Sequence, residues 1–455
     1  MLLGSLFSYS FFGWKNFVLL LGVSVFNYLT GLYIEKASTK RGALLIALVG
    51  NLLLLFVFKY FNFFSETTQN IFNLIHLNVS LPLLTIILPI GISYYIFQAI
   101  GYNLDIASGK AIAEKNYLNL ASYFFFFPKI LQGPVERPRN LLPQLRQSID
   151  FNYENFVDGL RRIMWGFFLK IVIADRIVIL VDNVWKNLDS YGGLSIMICV
   201  GLFTLQLYFD FLGYSEIALG SAQLFGIKMM ENFDKPLSSK NITEFWRRWH
   251  ISLSTWLNEY LYNPMAIGWR DLGKYSMHLA VFITFLIAGL WHGAGITFII
   301  FGCLHGIALV YEIFTKKSRK KWAKKIPKPI YNFLSLKITF IYVSFTLVFL
   351  KSGTLEKAAS VFKSIGHGWK DDILGIFNGN IEKVLFLNVS KSNFLILFFV
   401  VVLFFMAEVF FKDKTYKIIN QNNTYLRWTI YFGILAIIAF FGQFHSNAEF
   451  IYVNF

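Results

Sequence analysis

Residues 276–314 read SMHLAVFITFLIAGLWHGAGITFIIFGCLHGIALVYEIF. Two apolar runs, 276–292 and 296–314, meet at a short glycine-rich break that carries His292 near its start. Each run approaches the roughly 20 apolar residues that a helix needs to cross a hydrocarbon slab of about 30 Å. Further runs of this kind lie near 11–33, 42–62, 82–101, 157–182, 195–226, 330–350, 393–411 and 428–444. The 195–226 stretch is too long for one straight span, and is expected to tilt, break or run past the membrane. The fold class is therefore predicted as all-α: a polytopic transmembrane helical bundle of about 10–11 spans, one domain over residues 1–455.

Composition agrees. The chain has 455 residues, of which 56% are hydrophobic and 15% charged, with a mean hydropathy of +0.54. Soluble domains carry about 25% charged residues. Disorder, a disulfide scaffold and an ordinary cytosolic enzyme are excluded. The 51 Phe and 23 Tyr suit lipid-facing surfaces and headgroup belts. A net charge of +16 invites a nucleic-acid partner, but the charges sit in short connections between apolar runs, so the bilayer is the expected partner. Cys199 and Cys303 lie inside apolar segments and read as small buried hydrophobes. No cleavable leader stands out, and the first apolar stretch is expected to remain as a helix.

Charge sets the expected orientation. Residues 315–328 hold Lys316, Lys317, Arg319, Lys320, Lys321, Lys324, Lys325 and Lys328 with no acidic residue, which predicts a cytoplasmic loop. The short loop with Lys36, Lys40 and Arg41 follows it. The 351–392 loop mixes Lys with Glu356, Asp371, Asp372 and Glu382 and fits the outside. Ten spans then place both termini outside.

Two stretches fit no simple span. Residues 123–146 contain Pro128, Pro134, Pro138 and Pro143, which break any long helix. Irregular backbone at membrane depth survives only when buried in protein or lining a cavity, so a re-entrant segment is expected. In residues 228–263, Asn241-Ile-Thr-Glu244 offers a capped helix start. The predicted helix presents Phe245, Trp246, Trp249, Leu253, Trp256, Leu257 and Tyr260 on one face. Arg247, Arg248, His250 and Glu259 fall on the other. Such an amphipathic helix lies at an interface or lines a cavity.

Of seven histidines, His76 and His367 sit in polar connections and His278 opens a span. His292 lies within membrane depth, where an ionisable residue is costly and a functional candidate by default. It could equally be a polar helix-packing contact. His250 stands beside two arginines and several tryptophans. It reads as a functional group or as a half-exposed interfacial histidine. Arg247 and Arg248 could anchor to headgroups or hold donor phosphates. His305 is expected to pack or hydrogen-bond. No paired-His or Cys spacing supports a metal site, and no phosphate-cradling glycine loop, Gly-x-Ser-x-Gly or dinucleotide fingerprint is present.

Five stretches, in order, carry a resemblance. They are Leu88-Pro-Ile-Gly-Ile-Ser-Tyr-Tyr-Ile-Phe-Gln98, Phe127-Pro-Lys-Ile-Leu-Gln-Gly-Pro134, Glu231-Asn-Phe-Asp-Lys-Pro236, Ile242-Thr-Glu-Phe-Trp-Arg-Arg-Trp-His-Ile-Ser-Leu-Ser-Thr-Trp256 and Gly289-Leu-Trp-His-Gly-Ala294. Across roughly 85–315 the chain resembles the membrane-bound O-acyltransferases, most of all the branch that O-acetylates extracytoplasmic polysaccharides such as alginate and peptidoglycan. The resemblance implies a bundle around a central tunnel, thinned at its centre, in a bacterial inner membrane. It implies His292 as the catalytic histidine and His250 as its companion. Trp246, Arg247, Arg248, Trp249 and Trp291 become expected donor-binding or tunnel residues. The implied donor is a cytoplasmic thioester, acetyl-CoA, used as a substrate with no permanently bound cofactor. An extracytoplasmic acetyltransferase or acyl-carrying partner protein would complete transfer to the polysaccharide, with peptidoglycan favoured. Alginate or another exopolysaccharide, teichoic acid D-alanylation and a polytopic transporter are the alternatives. The tail Glu449-Phe-Ile-Tyr-Val-Asn-Phe455 has Val-Asn where the branch often has Phe-Gln, and Asn263–Arg270 replaces a frequent Gly-Gly-Asn-Arg turn. Tyr452, the tail's hydroxyl-bearing residue, could relay the acetyl group or dock a partner.

Overall fold

The computed structural model describes residues 1–85, 88–410, 423–444 and 450. Among these residues the regular elements are all helical. Among the described residues, eight helices are long and apolar enough to cross a membrane: Trp14–Lys36, Lys40–Leu74, Gly193–Leu224, Tyr275–His292, Ile296–Phe314, Lys328–Ser352, Lys391–Val409 and Thr424–Phe441. They coincide with eight of the ten expected segments.

The other two differ for local reasons. The expected 82–101 segment becomes helical only at Ile92, giving Ile92–Ala107. Pro82 and Pro89 interrupt its first half, and Gly91 turns the chain at a left-handed φ of 77°. The expected 157–182 segment lies in a continuous helical stretch, 153–186, whose middle is a π-turn at Phe168–Ala174. Its charges at Arg162, Lys170 and Asp175 are buried against protein, while Leu160, Phe167 and Ile179 are exposed. Arg162 pairs with Glu216 at 2.7 Å and Glu231 at 2.9 Å, and Lys170 pairs with Asp210 and Asp175, each at 2.7 Å. Buried charges persist only with such partners.

Its neighbour, Gly193–Leu224, is one unbroken helix of 32 residues. At about 1.5 Å per residue it is longer than a 30 Å slab. It does not break, and it forms the centre of the bundle. Gly166 and Gly213 let the two helices touch backbone to backbone, since a Cβ on Gly166 would meet the Gly213 carbonyl oxygen at 2.6 Å. Elsewhere, side-chain amides join helices as membrane proteins require. Asn51 Nδ2 donates to Asn27 Oδ1 at 2.9 Å, and Asn103 Nδ2 donates to the same oxygen at 2.6 Å. These bonds tie together the helices Trp14–Lys36, Lys40–Leu74 and Ile92–Ala107.

The helix Tyr275–His292 turns back into Ile296–Phe314 within three residues. Gly289 and Gly302 allow a tight crossing there, because a Cβ on Gly302 would fall 3.1 Å from the Gly289 Cα. Thr297 Oγ1 reaches the Gly353 carbonyl at 3.5 Å. His292 and the start of the 353–390 region therefore lie at one end of the bundle. The basic loop lies at the other, about 27 Å away along 19 helical residues.

Candidate active site

The segment after Gly193–Leu224 forms the site's floor. Asn241 caps the first short helix, Ile242–Arg248, by accepting from the Glu244 backbone N–H at 2.8 Å. The expected single amphipathic helix is corrected here: it breaks at His250, and Ile251–Leu257 starts anew, followed by a π-turn at Asn258–Tyr262. His250 takes a left-handed φ of 43°. Two backbone bonds to a neighbouring strand of chain hold the kink, Asp234 N–H to Arg248 O at 3.0 Å and Ile251 N–H to Asn232 O at 2.9 Å. The seven expected apolar residues are all buried. The break swings His250 away from Arg247 and into the interior, where it is 0% exposed, so its expected place on the polar face is also corrected.

His292 ends the helix Tyr275–His292 and is 2% exposed. The indole of Trp291 stands between the two histidines, with ring centroids 5.6 Å from His250 and 5.0 Å from His292. Phe211 meets His250 edge-on at 4.7 Å, and Phe301 meets His292 at 5.6 Å. Tyr94 and Phe97 close the other side of Trp291 at 5.3 and 5.8 Å. Aromatic walls exclude water while leaving two imidazoles as the chemically capable groups.

His305 is engaged differently. Trp246 Nε1–H donates to His305 Nδ1 at 3.1 Å, so the imidazole proton sits on Nε2. That nitrogen faces Thr346 Oγ1 at 3.0 Å, and the hydroxyl donates on to the Val343 carbonyl. Trp246, His305 and Thr346 thus form a strut between three helices. Among the described residues no group of three His, Cys, Asp or Glu side chains is placed to hold a metal.

A cavity of about 360 Å³ opens beside the Trp246 end of this strut, lined by Trp246, Arg247, Ser254, Tyr262, Phe285 and Leu309 among others; neither His250 nor His292 lines it. That is within the range of small-molecule sites. Arg247 is exposed at its wall. Arg248 points elsewhere and pairs with Glu244 at 2.8 Å. Trp249 stacks on Phe245 at 5.4 Å, away from the cavity lining. The π-turn at Asn258–Tyr262 is clamped by Arg139, whose two terminal nitrogens each approach Glu259 at 2.7 Å. The Arg139 guanidinium holds the Glu259 carboxyl down at about 2.

Tyr452 and His445 lie outside the described residues. Just before Tyr452, Phe450 packs edge-on against Tyr214 at 5.1 Å and lies 4.5 Å below the Lys170 ammonium. Lys59 is a residue that sequence reading passed over. It reaches the backbone carbonyl of Trp291 at 2.6 Å. Its signal was available: Lys59 is the single charge in the 42–62 apolar run.

The fold and site define a multi-pass helical membrane protein with two histidines buried in aromatic walls and a cavity lined by Trp246 and Arg247. Residues 106–350, which include both histidines and the cavity, match the model of the MBOAT, membrane-bound O-acyltransferase family. The chain belongs to the membrane-bound O-acyltransferase family. It is 31% identical to the peptidoglycan O-acetyltransferase of Helicobacter pylori, over 100% of this chain and 91% of that protein. It is 39% identical to the probable alginate O-acetylase AlgI of Pseudomonas aeruginosa, over 63% of this chain. The chain spans about 56% of the length of that alginate relative. A teichoic acid D-alanyltransferase of Bacillus subtilis is 29% identical over 56% of this chain and 67% of its own length.

Proposed function

We propose that the protein moves an acetyl group from a cytoplasmic thioester, acetyl-CoA, across a bacterial inner membrane for O-acetylation of an envelope polysaccharide. The observation that carries this reading is the pair His250 and His292, both buried and both in ring contact with Trp291. Peptidoglycan is the favoured acceptor polymer. The similarity to the Helicobacter protein covers the entire chain, whereas the alginate and teichoic similarities stop at 63% and 56% of it.

The chemistry asks little of the protein, since a thioester is already activated. His292 takes the proton of an attacking hydroxyl as the oxygen adds to the acetyl carbonyl, and the thiol leaves after receiving that proton. Such general-base help is worth about 10²–10⁴-fold. His250 orients the donor or polarises its carbonyl. The 360 Å³ cavity, with Arg247 on its wall, receives the donor. An extracytoplasmic partner protein carries the acetyl group to the polymer, with Tyr452 in the chain's tail as its relay or docking point.

Charge placement supports an orientation with the basic 315–328 loop in the cytoplasm and both termini outside. Counting the expected 82–101 and 157–182 segments as spans, or omitting both, leaves every later loop on the same side. Single cysteines in 353–390 should react with an impermeant maleimide in spheroplasts, and those in 315–328 only after lysis. Background labelling should be low, because Cys199 is buried and Cys303 half-buried. Labelling of 315–328 in intact spheroplasts would reverse the orientation.

Arg247 and Arg248 separate in their expected effects. Arg247→Gln should raise the acetyl-CoA KM several-fold with kcat little changed, the pattern of lost uniform binding. Arg248→Gln, which breaks only an i,i+4 pair, should leave KM within twofold. Equal KM values for Arg247→Gln and wild type would remove Arg247 from the donor path.

A further inference from the structure

We propose that Lys59 and Tyr60 are positioning residues for His292: from a neighbouring span they cap the helix end that carries it. The proposal rests on His292 acting in acyl transfer as described above. The last four carbonyls of a helix have no partner within it. Here the chain offers no cap of its own. It leaves His292 through Gly293 and Gly295 in extended conformation, with φ of −170° and −178°, instead of curling back. Two of the open carbonyls are filled from outside. Tyr60 donates its hydroxyl to the Leu290 carbonyl at 2.7 Å, and Lys59 Nζ donates to the Trp291 carbonyl at 2.6 Å. A lysine at a helix C-terminus also meets the negative end of the helix dipole.

Both donors come from one π-turn, Phe56–Tyr60, inside the helix Lys40–Leu74. The wider turn narrows the angle between consecutive side chains, so adjacent residues reach adjacent carbonyls; π-turns of this kind recur at functional sites. Lys59 also donates to Ser93 Oγ at 3.0 Å. Ser93 lies at the start of Ile92–Ala107, the helix that presents Tyr94 and Phe97 to Trp291. One amine therefore fixes the turn before His292 against the aromatic wall beside it. A shift of 1 Å at a reacting group can cost about 10²-fold in rate.

The test uses the full-length protein in lipid nanodiscs with acetyl-CoA. Lys59→Met should lower kcat by about 10- to 100-fold and leave KM within about twofold. Lys59→Arg should recover most of the loss, because a guanidinium still donates to carbonyls. Tyr60→Phe, which removes only the hydroxyl, should lower kcat by a smaller factor. Independently of turnover, the imidazole nitrogen NMR signals of His292 should shift in Lys59→Met and return in Lys59→Arg. Wild-type kcat in Lys59→Met, a KM rise that matches the kcat loss, or unmoved His292 signals would overturn the proposal. If Lys59→Met does not accumulate, wild-type kcat and unmoved signals in Tyr60→Phe have the same force. Failure of the acyltransfer reading looks different: His292→Ala then keeps wild-type turnover, whatever the Lys59 variants do.

Discussion

His292→Ala should lower envelope O-acetylation by about 10²–10⁴-fold, the usual worth of a positioned general base. The protein should still insert and fold. The side chain removed is buried between Trp291 and Phe301, so the lost packing is local, and the Gly289–Gly302 crossing that holds the hairpin is untouched. Ester-linked acetate released from purified cell wall, at matched membrane levels of the two proteins, reads the outcome. Wild-type acetate in the variant would remove His292 from the chemistry and leave it as packing.

His250 calls for a different substitution, because its backbone is left-handed. Histidine already bears the left-handed cost of a Cβ, about 1–2 kcal/mol, and alanine would keep that cost while losing the packing of the imidazole. Asparagine tolerates that conformation, so His250→Asn separates the two effects. His250→Asn should unfold within a few degrees of wild type yet lose acetyl transfer by at least about 10²-fold. His250→Ala should be equally inactive and less stable. Thermal unfolding of both variants, measured beside acetyl-CoA turnover, checks this. A fully active His250→Asn would show that position 250 serves only to turn the chain between Arg248 and Ile251.

Much of the fold is legible in the sequence. Eight of the spans follow from length and apolarity, because lipid solvation is a property of a segment by itself. The burial of His292 is legible for the same reason: its place between two apolar runs does not depend on knowing its neighbours. What the sequence hid in the 153–186 stretch is the pairing of its charges. Arg162 and Lys170 become tolerable only beside Glu216, Glu231, Asp175 and Asp210, which sequence distance conceals. His250 was assigned to the wrong face because helical periodicity presumes an unbroken helix. The break is enforced by residues 232–234, which run alongside it and are remote from the local pattern. The different placement of Arg247, on the cavity wall, and Arg248, paired with Glu244 by an i,i+4 contact, was equally out of reach.

Acetyl-CoA turnover by the purified full-length protein, wild type against His292→Ala, tests the central claim most directly. Wild type in nanodiscs should release free CoA from acetyl-CoA in preference to longer acyl thioesters, and His292→Ala should release it about 10²–10⁴-fold more slowly. Equal CoA release by the two proteins, or no release from any acyl thioester by wild type, would contradict it.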